Sequence, residues 1–166
     1  MTLAYVFWHH PGLGVDAAGY ERGLLAFHAR LADAPIPGTL GCRTVRVPAT
    51  PWLSGAGYED WYFVEDFTAL GQLNAGAIDE AHAAVHDDIA AQAGFGAGGL
   101  YRLVSGQRDR AGAHHVWFPK PDVLPGGEGT TLWQRQLVLS PAPEFCLVCD
   151  ERPILAGAVD VPVERL

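Results

Sequence analysis

Lysine is almost missing from this chain. Lys120 stands alone among 11 basic residues, set against 19 aspartates and glutamates, for a net charge of −8. That balance leaves no basic face to neutralise a nucleic-acid backbone, and it disfavours docking on an anionic membrane surface. Cysteine is scarce and odd in number, at three. A disulfide framework is thereby excluded, and a reducing, cytoplasmic setting is expected. No run approaches the roughly eighteen apolar residues of a membrane span. The opening MTLAYVFWHHPG also lacks the basic region and long apolar stretch of a secretory signal. Ser54, Ser105 and Ser140 are the only serines, each in or beside turn-like sequence. With no GxSxG elbow and no phosphate-binding Walker string, serine-hydrolase and P-loop chemistries are unexpected.

What is present is a globular composition, 49% hydrophobic and 18% charged over 166 residues, enough for a real core. Leu3–His9 is aromatic and β-branched and stops at Pro11-Gly12, which predicts a strand. Asp16 offers an N-cap to a helix with Tyr20, Leu24, Phe27, His28 and Leu31 at helical spacing. Pro35 and Pro37 forbid its continuation. Further strands are predicted at Leu40–Val47, Asp60–Glu65 and Leu100–Val104. Between the last two lies a helical region, capped by Asp66 or Thr68 and interrupted at Asn74-Ala75-Gly76. It resumes with Ile78, His82, Val85 and Ile89 on one stripe. The run Gly94–Gly99 reads as a break and connection. After Gln107 the texture turns polar and turn-rich, with two more strand candidates at Leu132–Leu139 and Glu144–Cys149 and a short tail.

The order β-α-β-β-α-β predicts an α+β, ferredoxin-like antiparallel sheet with two helical regions on one face. Residues 1–106 would form that domain, and residues 107–166 a β-hairpin extension packed on it. The motifs Trp61–Leu70 (WYFVEDFTAL), Ala81–His86 (AHAAVH) and Gly99–Gly106 (GLYRLVSG) resemble those of the dimeric α+β-barrel superfamily. That group includes small cofactor-independent monooxygenases, muconolactone-isomerase-like proteins and stress-responsive barrel proteins. The resemblance covers roughly residues 3–106 and implies a homodimer pairing sheet to sheet. It also implies a small organic ligand and no cofactor.

Strand alternation converts the fold into a residue set. With the more uniformly apolar faces turned to the helices, Tyr5, Phe7, His9, Arg46, Trp61, Glu65 and Arg102 fall on the opposite face, as an aromatic pocket with a few polar groups. For an enzyme of this class, the expectation is proton abstraction or cofactor-independent oxygenation. His9 would be the base, and Arg46 and Arg102 would stabilise an enolate-type anion. Tyr5, Phe7, Trp61, Phe63 and Glu65 would contact the substrate. The alternatives are a non-catalytic binding or assembly module with no open cavity, and a haem or metal protein using the helix histidines.

Other motifs carry less. His82 and His86 share a helical face with Asp79, but Ala83 stands where an HExxH site needs glutamate, and no metal site is assigned. Cys146 and Cys149 form a CxxC in strand-like sequence, where their sulfurs point to opposite faces, unlike a zinc knuckle. Gly94, Gly96 and Gly99 match GxGxxG with reversed polarity, following a helix and opening a strand, so no dinucleotide site is expected.

Overall fold

A computed structural model describes residues 1–166. Its elements in chain order are β1 (Leu3–Pro11), α1 (Ala17–Asp33), β2 (Thr39–Val47), β3 (Gly57–Val64), α2 (Phe67–Gly76) and α3 (Ala83–Ala90). Then come β4 (Ala93–Ser105), β5 (His114–Phe118), β6 (Thr131–Arg135), β7 (Phe145–Cys149), β8 (Val159–Pro162) and β9 (Glu164–Arg165). The starts of α1 and α2 follow from aspartate caps. Asp16 accepts from the Gly19 amide at 2.7 Å and Asp66 from that of Ala69 at 2.9 Å, each satisfying an amide left free in the first turn. No helix is long and apolar enough to cross a membrane.

All strand pairings are antiparallel, in the order β8-β5-β7-β6-β4-β1-β3-β2-β9. The central β4-β1-β3-β2 segment, with α1 and then α2–α3 as its crossovers, has the ferredoxin-like order. The second crossover is two short helices instead of one. Residues 107–166 are more than a hairpin: β5, β6, β7 and β8 extend the same sheet beyond β4, and β9 adds to the opposite edge beside β2. β8 and β9 are consecutive in the chain, separated by Val163 alone. One terminal segment therefore pairs with β5 at its start and β2 at its end, closing the sheet on itself.

The inside of that curl is filled by side chains. Trp8, Trp61, Trp117 and Trp133 are all fully buried there, joined by Val6, Phe63, Tyr101, Cys146, Val148 and Val161. Packing of this kind is what a barrel of about eight strands admits. Each buried indole removes roughly 200 Å² from water, on the order of 5 kcal/mol before entropy is charged against it. The outer face of β1, β3 and β4 packs instead on the helices, through Leu3, Tyr58, Val64 and Leu100 against Tyr20, Leu24, Phe27, Leu73 and Ile89. A third apolar layer on the outside of β5–β7 includes Val116, Phe118, Phe145 and Leu147, covered by Leu155 and Ala158.

Three expectations need correction. The glycine run is not a break: Gly94–Gly99 lies inside β4, paired with β1 from Phe95 to Gly99, with an irregularity in the register at Gly94. The helical stripe through Ile78 and His82 is not continuous either. α3 begins at Ala83, His82 is its N-cap, and Ile78 lies exposed outside it. The faces of β1, β2 and β4 are also exchanged, whereas β3 turns Tyr62 and Val64 to the helices as expected. Tyr5, Phe7 and His9 face the helices, and Ala4, Val6 and Trp8 face the barrel interior, because the C-terminal strands provide a more apolar cover than the helices do.

Candidate functional site

Between the helices and the outer sheet face lies an open cavity of about 920 Å³, 16 of whose 23 lining residues are hydrophobic. Its floor is Tyr5, Phe7 and His9 of β1, Tyr62 of β3 and Gly98–Leu100 of β4. Its roof comes from Tyr20, Leu24 and Phe27 of α1, Phe67, Leu70 and Leu73 of α2, and His86 and Ile89 of α3. Leu139, from the loop after β6, stands at the mouth. The β4 glycines make this floor possible. A Cβ at Gly96 would sit 2.4 Å from the tip of the Phe7 ring, and one at Gly98 would sit 2.4 Å from the Tyr5 hydroxyl. Without side chains on that stretch, both rings reach across the neighbouring strand.

One part of the lining is polar and highly ordered. His9 Nε2 lies 3.0 Å from Asp60 Oδ2 and His9 Nδ1 lies 2.7 Å from the Tyr20 hydroxyl, with His9 only 1% exposed. The Thr44 hydroxyl donates to Asp60 Oδ1 at 2.5 Å and the Tyr62 hydroxyl to Oδ2 at 3.2 Å. Burial pushes the Asp60 carboxyl up, but the hydrogen bond and charge of His9, with His28 and Thr44, outweigh it and hold Asp60 below its ordinary value. With the ring neutral, an ionised Asp60 accepts the His9 Nε2 proton, Nδ1 carries the lone pair and Tyr20 donates to it. Burial, reinforced by Asp60 and Tyr58, holds the Tyr20 phenol well above its usual range, and burial with Asp60 and Cys42 does the same for Tyr62. Both phenols are therefore protonated donors at neutral pH. Tyr5 is raised by burial alone, and its hydroxyl has no partner.

The residue before Asp60 builds a second polar cluster on the other side of the sheet. Glu59 accepts from Trp8 Nε1 at 2.7 Å, from Trp61 Nε1 at 2.6 Å and from His115 Nδ1 at 2.5 Å, deep inside the barrel. Burial holds the His115 imidazole below its ordinary value. No cavity reaches this cluster from the helix side, so its role is to satisfy buried indoles and hold the curl.

The structure therefore separates the residues expected to act together. Tyr5, Phe7 and His9 do share the cavity. Trp61 and Phe63 lie inside the barrel, since Val6 and Trp61 are direct cross-strand partners and must point the same way. Glu65 is exposed beyond the end of β3. Arg46 is bound to Glu21 at 2.6 Å and to Glu164 at 3.0 Å, and Arg102 is exposed beside Gln134. Neither arginine lines the cavity. The helix histidines do not converge: His82 is held by Asp79 and the Ala34 carbonyl, and His86 packs on Phe27 at the cavity wall. His28 faces the edge of Tyr62 with Nε2 buried and unpartnered. Cys146 points into the barrel and Cys149 into the outer layer.

Asp60 and Tyr20 were missed as functional residues. Extending the Tyr62–Val64 face back two positions would have placed Asp60 on it. Tyr20 looked like one more apolar helix residue, because nothing in its spacing reveals a histidine opposite.

No family model matches the chain, and no curated protein matches it. Among solved structures it is similar to a dimeric protein of unknown function with a ferredoxin-like fold from Bacteroides fragilis NCTC 9343. The TM-score is 0.45 at 12% identity, covering 61% of this chain and 95% of that one. So distant a likeness says nothing about activity or assembly here.

Proposed function

We propose that this protein binds a small organic molecule in the helix-side cavity and that His9, held by Asp60 and coupled to Tyr20, moves a proton there. The observation that carries this reading is the Tyr20–His9–Asp60 chain of hydrogen bonds in the wall of an open, mainly apolar cavity. An acidic C–H or O–H proton of the ligand passes to the Tyr20 oxygen as the Tyr20 proton passes to His9 Nδ1. The products are a ligand anion and an imidazolium paired with Asp60. Reprotonation at a different atom gives isomerisation, and electron transfer from the anion to dioxygen begins a cofactor-independent oxygenation.

The test is solvent-deuterium exchange into weakly acidic cavity ligands, followed by NMR. His9→Asn is expected to slow exchange by about 10²- to 10⁴-fold with ligand binding retained, and unchanged exchange in that variant overturns the reading. A second reading, binding without catalysis, is favoured by the engagement of both His9 ring nitrogens. Saturable binding with no exchange in the native protein would select it. A homodimer, implied by the family resemblance, belongs to this proposal too. The sheet face used for sheet-to-sheet pairing is filled by β5–β8 of the same chain, so two copies would meet on another surface.

A further inference from the structure

We infer that the cavity selects electrically neutral molecules, mainly apolar and bearing a hydroxyl or carbonyl group, and turns away carboxylates, sulfonates and phosphates. This rests on the cavity reading proposed above and names its ligand class. No lysine or arginine lines the cavity, and its one carboxylate is Asp60. The arginines on neighbouring elements are committed elsewhere: Arg22 to Asp16, Arg30 to the Ala81 carbonyl, Arg46 to Glu21 and Glu164, Arg102 to Gln134, and Arg43 to the Arg110 carbonyl and the Trp61 ring on the barrel side. The helix end nearest the mouth offers no anion site either, because the Asp66 carboxylate already occupies the N-terminus of α2.

An anion entering this space loses its hydration without gaining a cation, and it meets the buried negative charge of Asp60 where screening is weak. A neutral oxygen loses far less and finds a ready partner. The Tyr5 hydroxyl reaches the cavity with no hydrogen bond of its own, and Tyr20 presents its oxygen beside His9. The mouth fits the same chemistry. Phe67, Ile78 and Leu139 line it while 51%, 58% and 61% exposed, so an apolar body meets apolar side chains on the way in.

A matched dye pair tests this at pH 8: neutral N-phenyl-1-naphthylamine and its sulfonated analogue 8-anilino-1-naphthalenesulfonate, each titrated by fluorescence. The neutral dye is expected to bind about tenfold or more tightly than the sulfonate, and to be displaced by 1-decanol but not by decanoate. Gly71→Trp supplies the control. Gly71 lines the cavity, and a Cβ there meets nothing within 4 Å, so the position accepts a side chain and an indole is placed to obstruct the opening; unchanged thermal unfolding checks the fold. Loss of neutral-dye binding in this variant supports the inference. Equal binding of both dyes, abolished by Gly71→Trp, overturns neutral selectivity and leaves the cavity reading standing. Dye binding indifferent to Gly71→Trp overturns both.

Discussion

Three side-chain donors converge on Asp60, from His9, Thr44 and Tyr62, so its removal strands all of them in a dry site. Asp60→Ala is expected to destabilise the protein by about 3 kcal/mol in urea unfolding, and Asp60→Asn, which keeps one acceptor oxygen and replaces the other with an amide donor, by about half that. A loss under about 1 kcal/mol for alanine would show that the cluster is solvated. The pH dependence has a definite sign. Asp60, His28 and His115 all have depressed values in the fold, so the unfolded chain binds more protons on acidification and stability falls as the pH is lowered. The histidine contribution is present above the ordinary value of 6.5 and is lost as pH falls below it. The Asp60 contribution is full above 3.8 and is lost only as pH falls through the still lower folded value. His28→Asn should partly flatten the upper part of a melting-temperature profile, between about pH 6.5 and 5, where His115 still contributes, and move the Asp60 part to higher pH because His28 helps hold that carboxyl down.

At the scale of the element, β4 decides whether the site exists. Its glycines give up strand propensity and side-chain packing so that the Phe7 and Tyr5 rings can cross above Gly96 and Gly98. Gly98→Ala forces the Tyr5 hydroxyl away and is expected to cost about 1–3 kcal/mol, with weaker binding of the neutral dye. A gain in stability with unchanged binding would mean that the ring moves without consequence. α3 is the complementary case. Its anchor to the end of α1 is polar, through His82 to the Ala34 carbonyl at 2.9 Å and Arg30 to the Ala81 carbonyl at 2.7 Å. The two contacts hold the cavity roof while His86 and Ile89 line it.

For the whole molecule, the terminal segment is the closing element. Val161 is buried in the barrel core, with Val159 and Val163 packed beside it. Deleting residues 159–166 uncovers β5 on one side and β2 on the other. The expected loss is on the order of 3–5 kcal/mol, read as a melting-temperature drop of about 6–20 °C. An unchanged melting temperature would show that the closure is decorative. The cavity itself lies within one chain, so ligand affinity should not change when the protein is diluted, whatever its state of association.

The alternating aromatic strands, the Asp16 cap and the mixed α+β succession of strands and helical regions up to β4 were legible in the sequence because they rest on local periodicity and on single residues acting within a turn. The same alternation separated Tyr5, Phe7 and His9 from Ala4, Val6 and Trp8, and it told Cys146 from Cys149. It could not say which set met the helices. That depended on β5 and β8, short strands hidden in polar and turn-rich sequence: β5 pairs with β7 and with β8 across 27 to 48 residues of chain. Tertiary packing alone placed Arg46 and Arg102 outside the cavity, turned Trp61 and Phe63 into the barrel and brought Tyr20, His9 and Asp60 together. Hydrogen bonds between α1, β1 and β3 are long-range contacts, and a one-dimensional pattern of apolar and polar residues carries no record of them.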